Sequence, residues 1–178
     1  NAEAIYQNYH DNEWGVPVYE DQKLFEMLIL EGFQAGLSWL TILKKREHFR
    51  KAFDYFDVAC IAAYDEDKIT ELMQNKDIVR NRRKICAAIQ NAKVFLAIQK
   101  EYGTFSEYLW GFTNHQVQYL QDKEMPVTTP LSDSISKDLK KRGMKFVGST
   151  IIYSYLQAVG VVHDHHKGCF LHVDDSNN

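Results

Sequence analysis

Apolar residues recur at helical spacing through almost the whole chain, and no segment alternates apolar and polar residues as a half-buried strand would. The longest helical pattern runs from residue 78 to about residue 102, and Gly103 is expected to end it. The polar segment 116–130 contains two prolines and is predicted to be a loop. The sequence therefore predicts an all-α fold.

Capping residues mark the starts of several predicted helices. Ser38, Asp57 and Asp65 each precede an apolar pattern, and Asp21 precedes another. Thr104 is followed three residues later by a glutamate, which is the spacing of a capping box. Each of these side chains is expected to accept a hydrogen bond from a backbone N–H of its own helix.

The composition is that of a globular protein, with 178 residues, 45% hydrophobic and 13% aromatic, and one domain is expected over residues 1–178. No apolar run approaches the ~18 residues of a membrane span, and no secretory leader opens the sequence. Three cysteines are too few for a disulfide framework or a cysteine-ligated iron–sulfur cluster. The sequence therefore favours a cytoplasmic protein with no membrane partner.

The net charge of −3 argues weakly against binding to nucleic acid, but the cations are clustered. Three runs, at 44–51, 76–84 and 137–145, hold 15 of the 21 basic residues. Clustered cations on an acidic protein indicate a localised basic face. The alternative is three exposed helix faces that point in different directions.

Residues 134–160 are predicted to form two helices joined by a short hairpin. Gly143 can end the first helix because glycine accepts a positive φ. Gly148 gives close access to the backbone, and Ser149 or Thr150 can cap the second helix. A helix N-terminus beside lysines favours a phosphate group, so the segment indicates a nucleic-acid backbone as partner. The alternative is a packing unit with a solvated basic face.

Three further clusters have the residue types of a functional site. The segment YHDNEWG, residues 9–15, is polar and aromatic, and LEGFQAGLSW, residues 30–39, places Glu31 among apolar residues. Desolvation would raise the pKa of this carboxyl, whereas the simpler alternative is a cap or a salt bridge. In HDHHKGC, His165 and Cys169 are close enough to bind one metal ion together, although a frayed polar tail explains them equally well.

Taken in order, these segments resemble the 3-methyladenine DNA glycosylase I family of the helix-hairpin-helix superfamily. The matching blocks are YHDNEWG, LEGFQAGLSWLTILKKRE, IVRNRRKI, KKRGMKFVGSTIIYSYLQAVG and the H-x3-C tail. The resemblance covers essentially the whole chain and implies a helix-hairpin-helix DNA glycosylase fold. It also implies a second lobe with zinc, formed by residues 1–20 and 161–178.

The resemblance assigns roles to individual residues. Glu31 matches the pocket carboxylate that hydrogen-bonds the methylated base, and Tyr9, Trp14 and Trp39 match the aromatic lining. Leu37 matches a residue that inserts into the duplex. Independently of the resemblance, the hairpin residues expected to contact the DNA backbone are Lys145, Gly148, Ser149 and Thr150.

The resemblance also implies a structural zinc ion with His10, His165 and Cys169 as three of its ligands. The family's fourth ligand is a cysteine that would precede residue 1 and is not in this chain, so the site is incomplete, completed by a residue not shown, or closed by water or a nearby histidine. A family tryptophan that borders the pocket is absent for the same reason. Two cysteines within helical patterns, Cys60 and Cys86, are not expected to replace the missing ligand.

The implied activity is hydrolysis of the N-glycosidic bond in alkylated double-stranded DNA, with base flipping and release of 3-methyladenine by a monomeric enzyme. Bifunctional relatives carry a lysine nucleophile where this chain has Ser149 and Thr150, so no strand cleavage is expected. Asp164 is given no catalytic role. One alternative is a non-enzymatic, zinc-stabilised helix-hairpin-helix DNA-binding module. Others are a glycosylase for 7-methylguanine or a deaminated base, with Phe33 tuning the choice, and a purely structural role for the aromatic residues.

Overall fold

The computed structural model describes residues 1–120 and 126–164. This part of the chain is mostly helical, as predicted. The helices are α1 Ala2–Asn12, α2 Asp21–Gln34, α3 Trp39–Ala52, the 3-10 turn Asp54–Phe56, α4 Val58–Ala62, α5 Glu66–Gln74, α6 Arg82–Tyr102, α7 Phe105–Gly111, α8 Pro130–Lys141 and α9 Ser149–Ala158. Two short parallel strands, β1 Gln118–Tyr119 and β2 Val162–His163, were not predicted. No helix within the described ranges is both long enough and apolar enough to cross a membrane.

Helix α2 lies at the centre of the fold and packs against α3, α6, α7 and α9. Its residues from Leu24 to Glu31 are all buried, so the helix is enclosed on almost every side. An apolar helix of this kind is stable only in the interior, because any exposed face would leave apolar surface in water. The end of α2 therefore carries Glu31 into the core.

The predicted caps are confirmed at four helices and wrong at one. Ser38, Asp57, Asp65 and Thr104 each accept a hydrogen bond from a backbone N–H in the first turn of their own helix. Asp21, however, is the first residue of α2, and its carboxylate accepts from the backbone N–H groups that open α7, at residues 105 and 106. It therefore anchors α7 against α2, which is a tertiary contact.

The segment 130–158, here called the hairpin segment, consists of α8, a tight turn and α9. Gly143 follows the end of α8 with φ = +103°, which confirms the predicted glycine terminus. The first helix begins at Pro130 rather than near residue 134, with Thr129 and Ser132 in a reciprocal capping box. Ser149 and Thr150 do not cap α9, because the N-cap is Gly148 and α9 has no side-chain cap among the described residues.

The N-terminal segment after α1 runs along the end of α9. The N–H of Val18 donates to the carbonyl of Val159 at 2.9 Å. Gly160 adopts φ = +75°, and a Cβ there would lie 2.4 Å from the Pro17 nitrogen. Only glycine permits this approach, which brings the residues after α1 against those before β2.

Candidate active site

Glu31 is a buried carboxyl in the last turns of α2, with 4% of its surface exposed. Burial raises its pKa from 4.5 to about 8. Glu31 forms no ion pair with any residue in 1–120 or 126–164, so the simpler salt-bridge interpretation has no support there. A carboxyl placed in the core without a cation is suited to a ligand that brings its own positive charge.

Tyr9 lies near enough to Glu31 to feel its charge, and Trp39 packs against Tyr9. Their ring centres are 5.6 Å apart with planes inclined at 49°. The Tyr9 hydroxyl and the Trp39 indole N–H are both buried and approach each other, but neither forms a hydrogen bond of good geometry with a described residue. Burial, with the nearby charges of Glu31 and Glu13, raises the pKa of the phenol well above its ordinary value. Two buried polar aromatic side chains near Glu31 without well-formed hydrogen bonds are suited to a polar aromatic ligand.

Arg46 and Glu13 support Tyr9 from the outside. The guanidinium of Arg46 lies 5.9 Å from the centre of the Tyr9 ring and donates two hydrogen bonds to Glu13. These bonds hold the pKa of Glu13 at about 2, although burial opposes the shift. The sequence indicates no role for either residue, because a separation of 33 positions gives no sign that they meet.

Trp14 is half-buried and stacks on His10, with ring centres 5.8 Å apart and planes at 15°. Phe33 is 1% exposed and packs on Phe49 and Phe53 in the core. The structure therefore gives Phe33 a packing role. This buried position does not support the alternative in which Phe33 determines which lesion is bound.

Leu37 lies in the turn that joins α2 to α3 and is 38% exposed. Gly36 takes φ = +80° in this turn, and the side-chain amide of Gln34 donates to the carbonyl of Leu37 at 2.7 Å. The turn holds an apolar side chain out in water six residues after Glu31. This geometry suits insertion into an apolar gap in a partner.

The hairpin segment carries exposed lysines, three on α8 and one in the turn. Four arginines already form ion pairs with acidic side chains of this chain and are therefore weaker candidates for contacts with phosphate: Arg46, Arg50, Arg82 and Arg142. The lysines of the third basic run that are exposed and form no ion pair with a described residue are Lys137, Lys140, Lys141 and Lys145.

At the start of α9, one hydroxyl side chain is hydrogen-bonded within the protein and the next is exposed. The hydroxyl of Ser149 donates to Asp133 and lies 2.8 Å from the Ser132 hydroxyl, so this side chain is already engaged in the fold. Thr150 is exposed, and a Cβ added at Gly148 would meet no described atom within 4 Å. The open backbone at this helix start is accessible to an anion.

Two buried polar residues of α6 also contact these elements. Lys84 donates to the carbonyl oxygens of Phe33 and Ala35, and Asn91 pairs with the backbone of Lys145. Lys84 belongs to the basic run at 76–84, and no local pattern distinguishes it from its exposed neighbours. Its burial, at 8% exposed, sets it apart from a nucleic-acid contact.

Of the three metal ligands implied by the resemblance, only His10 falls within the described residues; His165 and Cys169 lie outside them. His10 is half-buried, with its Nδ1 3.0 Å from the carboxylate of Asp11. Residues 1–120 and 126–164 contain no group of three or more His, Cys, Asp or Glu residues arranged to hold a metal ion.

Comparison with known proteins supports the resemblance. The model of the methyladenine glycosylase family matches residues 1–172. DNA-3-methyladenine glycosylase 1 of Escherichia coli is 50% identical over 172 residues, which is 95% of this chain and 92% of that protein.

Two solved structures have the same fold. A crystal structure of 3-methyladenine DNA glycosylase I superposes with a TM-score of 0.91 at 50% identity, covering 95% of this chain and 94% of the other. A variant of 3-methyladenine DNA glycosylase I in complex with 3-methyladenine gives 0.89 at 39% identity, covering 93% and 90%. The chain belongs to the methyladenine glycosylase family.

Proposed function

We propose that this chain removes 3-methyladenine from alkylated double-stranded DNA by hydrolysis of the N-glycosidic bond, with Glu31 and the Tyr9–Trp39 pair as its base-recognition site. Its family makes it a DNA glycosylase of base-excision repair that releases 3-methyladenine. The observation that carries the residue assignment is the buried carboxyl of Glu31, which has no ion-pair partner among the described residues and lies near the buried Tyr9–Trp39 pair.

The chemistry of the lesion fits this pocket. Methylation at N3 gives the adenine of DNA a positive charge, which weakens the glycosidic bond and makes the base a good leaving group. The face of an aromatic ring attracts a cation, and a buried carboxylate adds a charge-assisted hydrogen bond. Neutral adenine gains neither interaction, so the pocket selects the methylated base. Trp14 is assigned to the outer part of this site.

A base within a duplex cannot reach Glu31, so it must first be flipped out of the stack at a cost of a few kcal/mol. Leu37 is exposed on the turn after α2 and would fill the gap that the base leaves. Lys145, Gly148, Ser149 and Thr150 would hold the phosphate backbone through the open start of α9. The hairpin segment is thus the helix-hairpin-helix DNA-binding element.

Hydrolysis without strand cleavage follows from the side chains at the hairpin. Ser149 and Thr150 occupy the positions at which bifunctional relatives carry a lysine nucleophile. Water is therefore the nucleophile, and no Schiff base forms.

A structural zinc ion would be held by His10, His165 and Cys169, with the fourth position left open, filled by a residue not in this sequence, or closed by water or a nearby histidine. The surroundings of His10 fit this role: its Nδ1–H donates to Asp11, which is the carboxylate partner typical of a metal-bound histidine and orients Nε2 as the ligand atom. When bound, zinc would fasten the two ends of the chain in a second lobe and take no part in hydrolysis.

We place the enzyme in the cytoplasm as a monomer. The described cysteines, Cys60 and Cys86, form no disulfide in this part of the chain, which is compatible with a reducing compartment.

The test is chromatography of the bases released from methylated duplex DNA by the wild type and by Glu31→Ala. We expect 3-methyladenine from the wild type and a large loss with the variant. Release of mainly 7-methylguanine would favour the alternative that this chain is a glycosylase for a different lesion. DNA binding without release of any base would favour the non-enzymatic module and overturn the proposal.

A further inference from the structure

Helix α6 places two buried polar side chains on one face, and the base-recognition site described above uses neither of them. Lys84 is 8% exposed and Asn91 is 5% exposed. They are seven residues apart, so they lie two helical turns from each other on the same side of α6. Buried polar groups are costly unless they are paired, and each of these is paired with backbone of a different functional element.

Lys84 fastens the end of α2. Its ammonium donates to the carbonyl oxygens of Phe33, at 2.8 Å, and Ala35, at 2.5 Å. Carbonyls at a helix C-terminus have no partner within the helix, and a cation there also complements the helix dipole. The two bonded carbonyls lie within the stretch that separates Glu31 from Leu37.

Asn91 fastens the turn of the hairpin segment. Its side-chain oxygen accepts from the N–H of Lys145 at 2.8 Å, and its amide donates to the carbonyl of Lys145 at 2.9 Å. This two-way pairing fixes the backbone of Lys145, whose own side chain is exposed. The hairpin turn therefore cannot shift along α6 without breaking both bonds.

The end of α2 and the turn of the hairpin segment also contact each other directly, between Lys84 and Asn91. A Cβ added at Gly32 would lie 3.6 Å from the Cβ of Phe146, so α2 and the turn are in near contact. A small cavity between them is lined by Gly32, Phe146, Lys84 and Asn91 among others. The distance from Glu31 to the hairpin backbone is thus set through α6 as well as by direct packing.

We propose that Lys84 and Asn91 are positioning residues, which set the base-recognition end of α2 and the DNA-holding hairpin at a fixed separation. This inference rests on the proposed function. A flipped base remains attached to its strand, so it reaches Glu31 only if the pocket and the phosphate contacts are correctly spaced. Lys84 holds the end of α2, which carries Glu31, and Asn91 holds the hairpin turn, which would contact the DNA.

The experiment compares Lys84→Met and Asn91→Ala with Lys93→Met, an exposed lysine of the same helix, as the matched control. Four quantities are measured on each folded variant: melting temperature, affinity for undamaged duplex, single-turnover release of 3-methyladenine, and amide hydrogen exchange. Lys84→Arg, which keeps the donors, tests for rescue, and Asn91→Ala still tests the inference if Lys84→Met does not fold.

We expect Lys84→Met to slow base release by about 10-fold or more, while its affinity for undamaged duplex stays within about 2-fold of the wild type. Its amide exchange should rise at residues 31–37. Asn91→Ala should instead weaken duplex affinity and raise exchange at residues 144–148. Lys93→Met should change none of these quantities, and Lys84→Arg should restore part of the release rate.

Unchanged exchange in both segments, or a parallel loss of both functions in proportion to melting temperature, would overturn the inference. A wild type that releases no base would instead refute the proposed function. In that case hydrogen exchange still decides whether the two residues hold their separate segments.

Discussion

Arg46 donates two hydrogen bonds, of 2.7 and 2.8 Å, to the carboxylate of Glu13. Glu13 directly follows α1, which carries Tyr9, and Arg46 belongs to α3, which begins at Trp39. This ion pair therefore joins the two helices that bring the pocket aromatics together.

Removing the Arg46 guanidinium should lower the stability of the protein by an amount that depends on pH. We expect Arg46→Met to lower the free energy of unfolding at pH 7 by about 1 to 2 kcal/mol, the value of a partly screened, charge-assisted bond. Glu13 has its pKa lowered from 4.5 to about 2, mainly by the hydrogen bond from Arg46. The stabilisation is therefore present above pH 4.5 and is lost as the pH falls towards 2. Denaturant unfolding at several pH values measures it, and a deficit that does not change with pH would contradict the prediction.

The stability of the wild type should depend on pH in the opposite sense through Glu31. Burial raises its pKa from 4.5 to about 8, so unfolding lets the carboxyl ionise throughout this interval. The free energy of unfolding should fall as the pH rises from 4.5 towards 8, by up to a few kcal/mol since each pKa unit is worth about 1.4 kcal/mol. Glu31→Gln cannot ionise and should be the more stable protein at pH 8, although its base release is lost.

Glu26→Gln is the matched control on the same helix. Glu26 is also buried, but Arg50 and Lys23 hold its pKa below the ordinary value against the effect of burial. Loss of that carboxylate should therefore destabilise the protein at pH 8. Equal effects of the two substitutions would show that Glu31 is not the desolvated group.

Local features of the fold could be predicted from the sequence, because they depend on neighbouring residues. The caps at Ser38, Asp57 and Asp65 involve N–H groups three residues away, and the glycine at 143 ends α8 through its own φ. Helix α1 was not predicted, since Tyr9 is its only buried residue among several exposed apolar ones. Its stability comes from tertiary contacts.

Long-range partners could not be predicted. Asp21 has the sequence context of a cap, yet its carboxylate binds backbone N–H groups more than 80 residues later. Lys84 stands among exposed basic residues but enters the core, where two carbonyls satisfy it. For the pocket, the family resemblance supplied Glu31, Tyr9 and Trp39. The supporting Arg46–Glu13 pair emerged only from the three-dimensional arrangement.

The lysines of α8 should contribute to DNA affinity through charge. Replacing Lys140 and Lys141 by glutamine should weaken duplex binding and reduce the slope of log K against log salt by about 1 to 2, because each lost phosphate contact removes about 0.9 from the slope. Binding titrations at several salt concentrations measure this. The same replacement at Lys93 and Lys100, two exposed lysines of α6, keeps the net charge equal and should leave the slope nearly unchanged. Identical slopes for the two double variants would place the DNA on another surface.

Leu37→Ala should separate stability from base flipping. The side chain is 38% exposed, so the free energy of unfolding should change by less than about 0.5 kcal/mol. Single-turnover release from duplex DNA should slow much more than release from single-stranded DNA, in which no stacked gap has to be filled. Leu96→Ala removes a leucine of similar exposure, 36%, from α6 and serves as the control. If both leucine variants behave alike on duplex DNA, Leu37 is not the inserted residue.

Gly160 should tolerate no side chain, because the N-terminal segment passes directly over it. A Cβ at this position would lie 2.4 Å from the Pro17 nitrogen and 2.6 Å from the Val16 carbonyl carbon, and φ = +75° adds backbone strain. We expect Gly160→Ala to lower the free energy of unfolding by more than about 2 kcal/mol, since these backbone atoms cannot move aside without breaking the Val18–Val159 hydrogen bond. Gly111→Ala is the matched control, because a Cβ there meets no described atom within 4 Å and alanine favours the helical state. Denaturant unfolding of both variants decides the matter: similar stabilities would mean that residues 16–18 do not pack on the end of α9.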